Sequence, residues 1–171
     1  MATSILILQL AKIGTAAVTF MFFLKKISVQ KPKTISLIIF PTMYALMSYM
    51  VVQLMDPMWL DGLIYLPLIC WGVHRLVDEG KLVPYIVPLA LMFIAHFYIG
   101  YMVGIFTFFY FCWYCLSREG RILPKKFFSR CVAFGIGTLV ALMCAAFVLI
   151  TVYNSLKLGK FEFCLLYTSP S

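Results

Sequence analysis

Apolar residues run along this chain in long blocks, separated by short polar gaps. Blocks of this kind read as membrane-crossing helices, because ~20 residues at ~1.5 Å rise are needed to cross ~30 Å of hydrocarbon. The pattern predicts six spans, at roughly 5–24, 34–55, 62–77, 82–95, 100–116 and 131–153. The spans at 62–77, 82–95 and 100–116 are short. They must borrow flanking residues or lie where protein rather than lipid surrounds them. One long helix over 82–116, or a re-entrant hairpin, is the alternative there. Gly100 and the stretch His96-Phe97-Tyr98 favour a break and two crossings. The gaps are a basic loop at 27–33, an acidic turn from Asp56 to Asp61, a tight turn at 78–81 and a larger polar loop at 117–130. The fold class predicted is all-α, a polytopic integral membrane helical bundle of about six transmembrane helices over residues 1–163.

Composition strengthens this reading. The chain is 64% hydrophobic and only 12% charged, against about half apolar and about a quarter charged in soluble domains. A net charge of +8 would otherwise raise nucleic acid as a partner. Here the charges sit in the gaps between apolar runs, which is a topology signal, and no nucleic-acid partner is expected. Lys25, Lys26, Lys31 and Lys33 lie in the first gap, Arg75 and Lys81 at the third, and Arg118, Arg121, Lys125, Lys126 and Arg130 in the fifth. The second and fourth gaps carry no lysine or arginine. Basic residues mark the cytoplasmic side. The first span is therefore expected to run inward, in a multi-pass protein of the bacterial plasma membrane with its N-terminus outside. The turn at Asp56–Asp61 and the segment His96–Tyr98 then share the outer face.

Two features of the ends bear on what this chain is. The N-terminus has no basic region ahead of its apolar run, so it does not read as a cleaved signal peptide. An outside N-terminus without one leads us to expect a further span upstream, and a fragment inactive on its own. The last eight residues, Cys164 to Ser171, resemble a translated sequencing-library adaptor. Residues 164–171 are set apart as an artefactual tail.

Few residues could carry chemistry. Asp56 precedes Pro57 and suits a turn, and Asp61 opens a helix, where a carboxylate gains from the dipole. Either acid is also a candidate for a role at the outer mouth of the helices, because intramembrane acids usually serve function. Lys12 lies inside an apolar run, at a depth close to these acids. It can snorkel to the surface, pair with an aspartate or meet a phosphate. Trp59, Tyr98 and Tyr101 fit an interfacial aromatic belt, with His96 among them as a base or ligand without a second metal-binding neighbour. Cys112 and Cys115 form a CxxC near the C-terminal end of an apolar helix, where the dipole opposes a thiolate. They are expected to be core residues, and no disulfide framework is predicted. Nucleotide-binding and zinc-protease motifs are absent.

The run Met58-Trp-Leu-Asp-Gly-Leu-Ile-Tyr-Leu-Pro-Leu-Ile69 resembles the MWLDA-x-x-LLPLI block of the bacterial YfhO membrane-protein family. Phe97-Tyr-Ile-Gly-Tyr-Met102 resembles that family's YIGYM block, at a fitting interval. The run from Lys12-Ile-Gly to Lys25-Lys26 resembles its KIGLAG…LKK helix, and Tyr44-Ala-Leu-Met-Ser-Tyr49 its YALSGY. The likeness extends over roughly residues 8–160. Two positions depart from it: Gly62 stands for alanine, and Ala95-His96 for Ser-Asn.

The resemblance implies a partial GT-C-like fold and a membrane glycosyltransferase. Its donor would be a polyprenyl-phosphate sugar, used at the outer face. Its acceptor would be lipoteichoic acid or a related cell-envelope polymer of Gram-positive bacteria. The principal acid of such enzymes lies in a first external loop, expected upstream of this chain. By position, Asp56–Asp61 is a second external loop. Asp61 matches the family motif, and Asp56 is a supporting neighbour. On this reading Asp61 orients the acceptor or helps hold a divalent metal ion. Lys12 meets the lipid phosphate, and Trp59, His96, Tyr98 and Tyr101 line the substrate side. A lipid or glycolipid transporter, and a non-catalytic scaffold of envelope assembly, are the alternative functions.

Overall fold

The computed structural model describes residues 2–28, 32–53, 57–117 and 124–159. Among these residues the chain forms eight α-helices and no strand. They are α1 (Ala2–Ile27), α2 (Thr34–Ala45), α3 (Ser48–Val52), α4 (Asp61–Glu79), α5 (Val83–Ala95), α6 (Phe97–Ser117), α7 (Pro124–Cys144) and α8 (Ala146–Gly159). A 3-10 turn, Pro57–Leu60, leads into α4. The all-α membrane bundle is the architecture observed. Four segments are long and apolar enough to cross a bilayer: Thr3–Ile27, Met58–Glu79, Phe97–Ser117 and Phe127–Cys144. Thr34–Ala45 and Val83–Ala95 are apolar but shorter.

The helix boundaries differ from the expected spans in instructive ways. The stretch 34–55 breaks after Ala45 and restarts at Ser48, a residue type that favours helix starts over interiors. The expected loop 117–130 is shorter, because α7 already begins at Pro124, and proline is preorganised for a first helical position. The expected polar exit at Asn154 is still helical, to Gly159. Between α5 and α6 only His96 leaves the helical conformation, with φ −155° and ψ 100°.

Contacts along the helices set their directions. Lys12, Phe22 and Phe23 of α1 meet Asp61, Trp71 and His74 of α4 in the same order. Gly62, His74 and Asp78 of α4 meet Ile99, Tyr110 and Tyr114 of α6, again in order. Helices α1, α4 and α6 are therefore parallel. Helix α5 runs against them, with Met92 beside Gly62 and Pro84-Tyr85 beside Gly72. The bundle thus has a Lys12–Asp61–His96 end and a Lys26–Glu79–Ser117 end.

Close packing is greatest around α5. A Cβ on Gly72 would lie 2.5 Å from the Pro84 carbonyl oxygen and 2.6 Å from the Tyr85 Cα, so only glycine permits this approach of α4 to α5. Pro88, inside α5, has no N–H to offer that same Pro84 carbonyl. Tyr85, Leu89, Met92 and Phe93 are buried. At ~1.5 Å per residue, 13-residue α5 reaches only ~20 Å. Its short length is accommodated because α4, α6 and α7 cover most of it. A second, smaller core of Ala16, Met50 and Leu60 ties α1 and α3 to the 3-10 turn.

Candidate functional site

The site grows from the start of α4. Asp61 is its first residue, directly after the 3-10 turn, and the dipole near a helix start favours a carboxylate. Leu60, fully buried against Ala16 and Met50, anchors the 3-10 turn and fixes where α4 begins. Ala16 lies one helical turn beyond Lys12 on α1. That register brings Lys12 Nζ to 2.7 Å from Asp61 Oδ1, with the two side chains 18% and 21% exposed. An intramembrane lysine is costly unless paired or reached by water, and this pair has both a partner and partial access.

The aromatic residues lie beside it. Trp59 sits in the 3-10 turn, 5.7 Å from the Tyr98 ring in an edge-on arrangement and 6.1 Å from His96. His96 caps the helix that follows it. Its Nδ1 accepts the Ile99 N–H at 3.4 Å, and its carbonyl accepts the Gly100 N–H at 2.8 Å. Those are the bonds of an N-cap, one made by the side chain to the third helical residue. Tyr101 is 61% exposed and takes no part in this ring cluster. Asp56 lies outside the described residues.

An apolar groove of about 270 Å³ opens next to the pair, between the 3-10 turn, α3, α4 and α6. Trp59, Gly62, Leu66, Ile99 and Phe106 are among its walls. Gly62 shapes it, because a Cβ there would lie 2.6 Å from Ile99 Cγ2. Lys12 and Asp61 are not among its walls; the groove borders the same first turn of α4 through Gly62, and its apolar walls suit a hydrocarbon chain. A metal centre fits less well. Among the described residues no three histidine, cysteine or acidic side chains converge, and one Asp61 oxygen already faces Lys12.

Sequence reasoning missed Tyr44. Its hydroxyl donates to the Leu63 carbonyl at 2.8 Å, and its ring stacks on Phe20 with centroids 4.4 Å apart. Pro67 lies in α4 four residues after Leu63, and that spacing was the available signal. Also missed was a cluster at the other end, where His74 Nε2 is 2.7 Å from Tyr110 Oη and the Tyr114 hydroxyl donates to Asp78.

The four segments that carry the family resemblance therefore meet in space. Lys12 bonds Asp61, Tyr44 bonds Leu63, and Gly62 and Trp59 pack on Ile99 and Tyr98. Residues 1–163 match the family model of the bacterial membrane protein YfhO. The chain belongs to the YfhO family. No curated protein and no solved structure gives a match. Within the YfhO pattern, the two departures now have structural meaning. Histidine replaces asparagine, a favoured N-cap residue, and still supplies an acceptor. Glycine replaces alanine where Ile99 approaches α4.

Proposed function

We propose that this YfhO-family chain forms part of a membrane glycosyltransferase. The enzyme moves a sugar from a polyprenyl-phosphate donor to a cell-envelope acceptor such as lipoteichoic acid. The observation that carries the reading is the convergence of four motif segments on the start of α4, where Lys12 pairs with Asp61 and an apolar groove borders Gly62. In such a transfer the acceptor hydroxyl oxygen bonds to the sugar's anomeric carbon. The bond from that carbon to the phosphate oxygen breaks, the acceptor proton passes to a base, and the lipid phosphate leaves with the electron pair. Lys12 is suited to the departing phosphate, since a fixed cation there stabilises charge as it develops. Asp61 is suited to hold the acceptor hydroxyl. The proton acceptor is not assigned to this chain.

We place the Lys12–Asp61 end at the outer face of the bacterial plasma membrane. Support comes from the opposite end, where Lys26, Arg75, Lys81 and Arg130 gather around Glu79 and Gly80. Basic residues favour the cytoplasmic side.

The test uses the complete protein with a polyprenyl-phosphate sugar and its acceptor. Asp61→Asn and Lys12→Gln should each lower transfer at least tenfold while leaving membrane insertion intact. Normal transfer by both variants would sink the reading and favour a scaffold. Lipid movement without sugar transfer would favour a transporter.

A further inference from the structure

At the end of the bundle opposite Asp61, α1, α4 and α6 enclose a second cavity, of about 160 Å³. Lys26 reaches it from α1, Trp71 and Arg75 from α4, and Tyr114 from α6. Asp78 and Glu79 also line it, and both are engaged within the protein. The Tyr114 hydroxyl donates to Asp78 Oδ2 at 2.8 Å. Glu79 pairs with Arg75 and, at 2.9 Å, with Lys81. Lys26 has no carboxylate partner among the described residues, and its ammonium lies 5.7 Å from the Phe22 ring centroid. Arg75 lies over the Trp71 ring, and its Nε is buried without an acceptor. The lining is formally balanced, Lys26 and Arg75 against Asp78 and Glu79; Lys81, from outside it, shares Glu79 with Arg75, which leaves the Lys26 ammonium as the cation to be met by an incoming anion.

The cavity is preformed. His74 also lines it, held by its bond to Tyr110 and by the Tyr114 ring, whose centroid is 3.9 Å away. Phe22 and Trp71 meet edge to face at 5.1 Å on its α1 side. A cavity needs only ~10–15 Å³ of such space to hold a water molecule, so this one has room for several waters or one small anion. That suits a phosphate-sized group.

We propose that this cavity binds the phosphate of an anionic lipid headgroup, with the Lys26 ammonium and the Arg75 guanidinium as donors. Lysine and arginine side chains offered between membrane helices near the cytoplasmic surface are where such headgroups bind. A soluble phosphate shares this chemistry, and the experiment separates the two sources. The inference does not depend on the transferase reading.

The purified full chain in detergent would be titrated with phosphatidylglycerol, phosphatidylcholine or inorganic phosphate, and bound ligand counted by native mass spectrometry. Phosphatidylglycerol should be retained over phosphatidylcholine. Lys26→Gln should weaken that retention about fivefold, as for one lysine at an anionic surface. Lys25→Gln, outside the cavity, should leave it unchanged. Arg75→Gln should weaken it as well; because that change also removes a Glu79 contact, Lys26→Gln is the deciding variant. Equal losses for Lys25→Gln and Lys26→Gln, or equal retention of the two lipids, would overturn the proposal. Inorganic phosphate binding that depends on Lys26, without lipid retention, would keep the phosphate site and overturn its lipid source.

Discussion

The Tyr44 hydroxyl donates to the Leu63 carbonyl at 2.8 Å, and Leu63 is the residue whose helical partner would be Pro67. Proline has no N–H, so its presence in α4 leaves the carbonyl four residues earlier without a donor. In lipid such a group must find a partner within the protein. Tyr44 supplies it from α2, and so fastens α2 to the half of α4 that begins with Asp61.

Tyr44→Phe should therefore cost about 1–3 kcal/mol, the range for leaving a buried acceptor unsatisfied. Reversible unfolding in detergent would measure it. Pro67→Ala restores the helical N–H and should recover most of the loss in the Tyr44→Phe background. A Tyr44→Phe cost that is unchanged by Pro67→Ala would show that the ring, stacked on Phe20, and not the hydroxyl, matters.

Lys12 and Asp61 should be coupled in stability. Alanine at either position leaves the other charge poorly solvated, for a loss of about 1–3 kcal/mol, discounted for partial exposure. The double variant Lys12→Met with Asp61→Leu should be more stable than either single alanine variant, and inactive in sugar transfer. A double-mutant cycle on unfolding free energy, run beside the transfer assay, separates the two roles.

Alanine at the close-packed glycines should rank by what each Cβ meets. At Gly72 it meets backbone of Pro84 and Tyr85, which cannot move without shifting α5, so Gly72→Ala should cost ~2–3 kcal/mol. At Gly62 it meets the Cγ2 methyl of buried Ile99, a side-chain rather than a backbone contact, and the added methyl improves helix propensity. Gly62→Ala should cost less than ~1 kcal/mol and narrow the groove. Thermal unfolding of the two variants side by side checks the order.

His96→Asn should leave stability unchanged or slightly raised, because asparagine is a good N-cap. His96→Ala removes the cap and should cost ~1 kcal/mol. If sugar transfer also survives His96→Asn, His96 acts as a cap and not as a base.

Much of this was legible in the sequence. Apolar block length marks α1 and α6, and Gly100 with His96 marks the reversal between α5 and α6. The depth of Lys12, counted from Lys25, places it level with Asp61. What was not legible depends on tertiary packing. Nothing local in Tyr44 says that its hydroxyl will replace a missing N–H on another helix. His74 sits within an apolar run and declares its partners only when Tyr110 and Tyr114 arrive from 36 and 40 residues away on a parallel helix. The break after Ala45 lies inside a continuous apolar stretch, where periodicity sees no boundary.

The single residue joining α5 to α6 also decides how that end of the protein can be probed. Reporter domains inserted to map membrane sidedness need slack, and His96 offers none, since its carbonyl and ring are both committed to the turn. An insertion between Ala95 and Phe97 would uncap α6 and report on a damaged fold. A cysteine at exposed Tyr101, in a chain whose native cysteines are replaced by serine and labelled from one side of the membrane at a time, keeps the reversal intact and reads the same face.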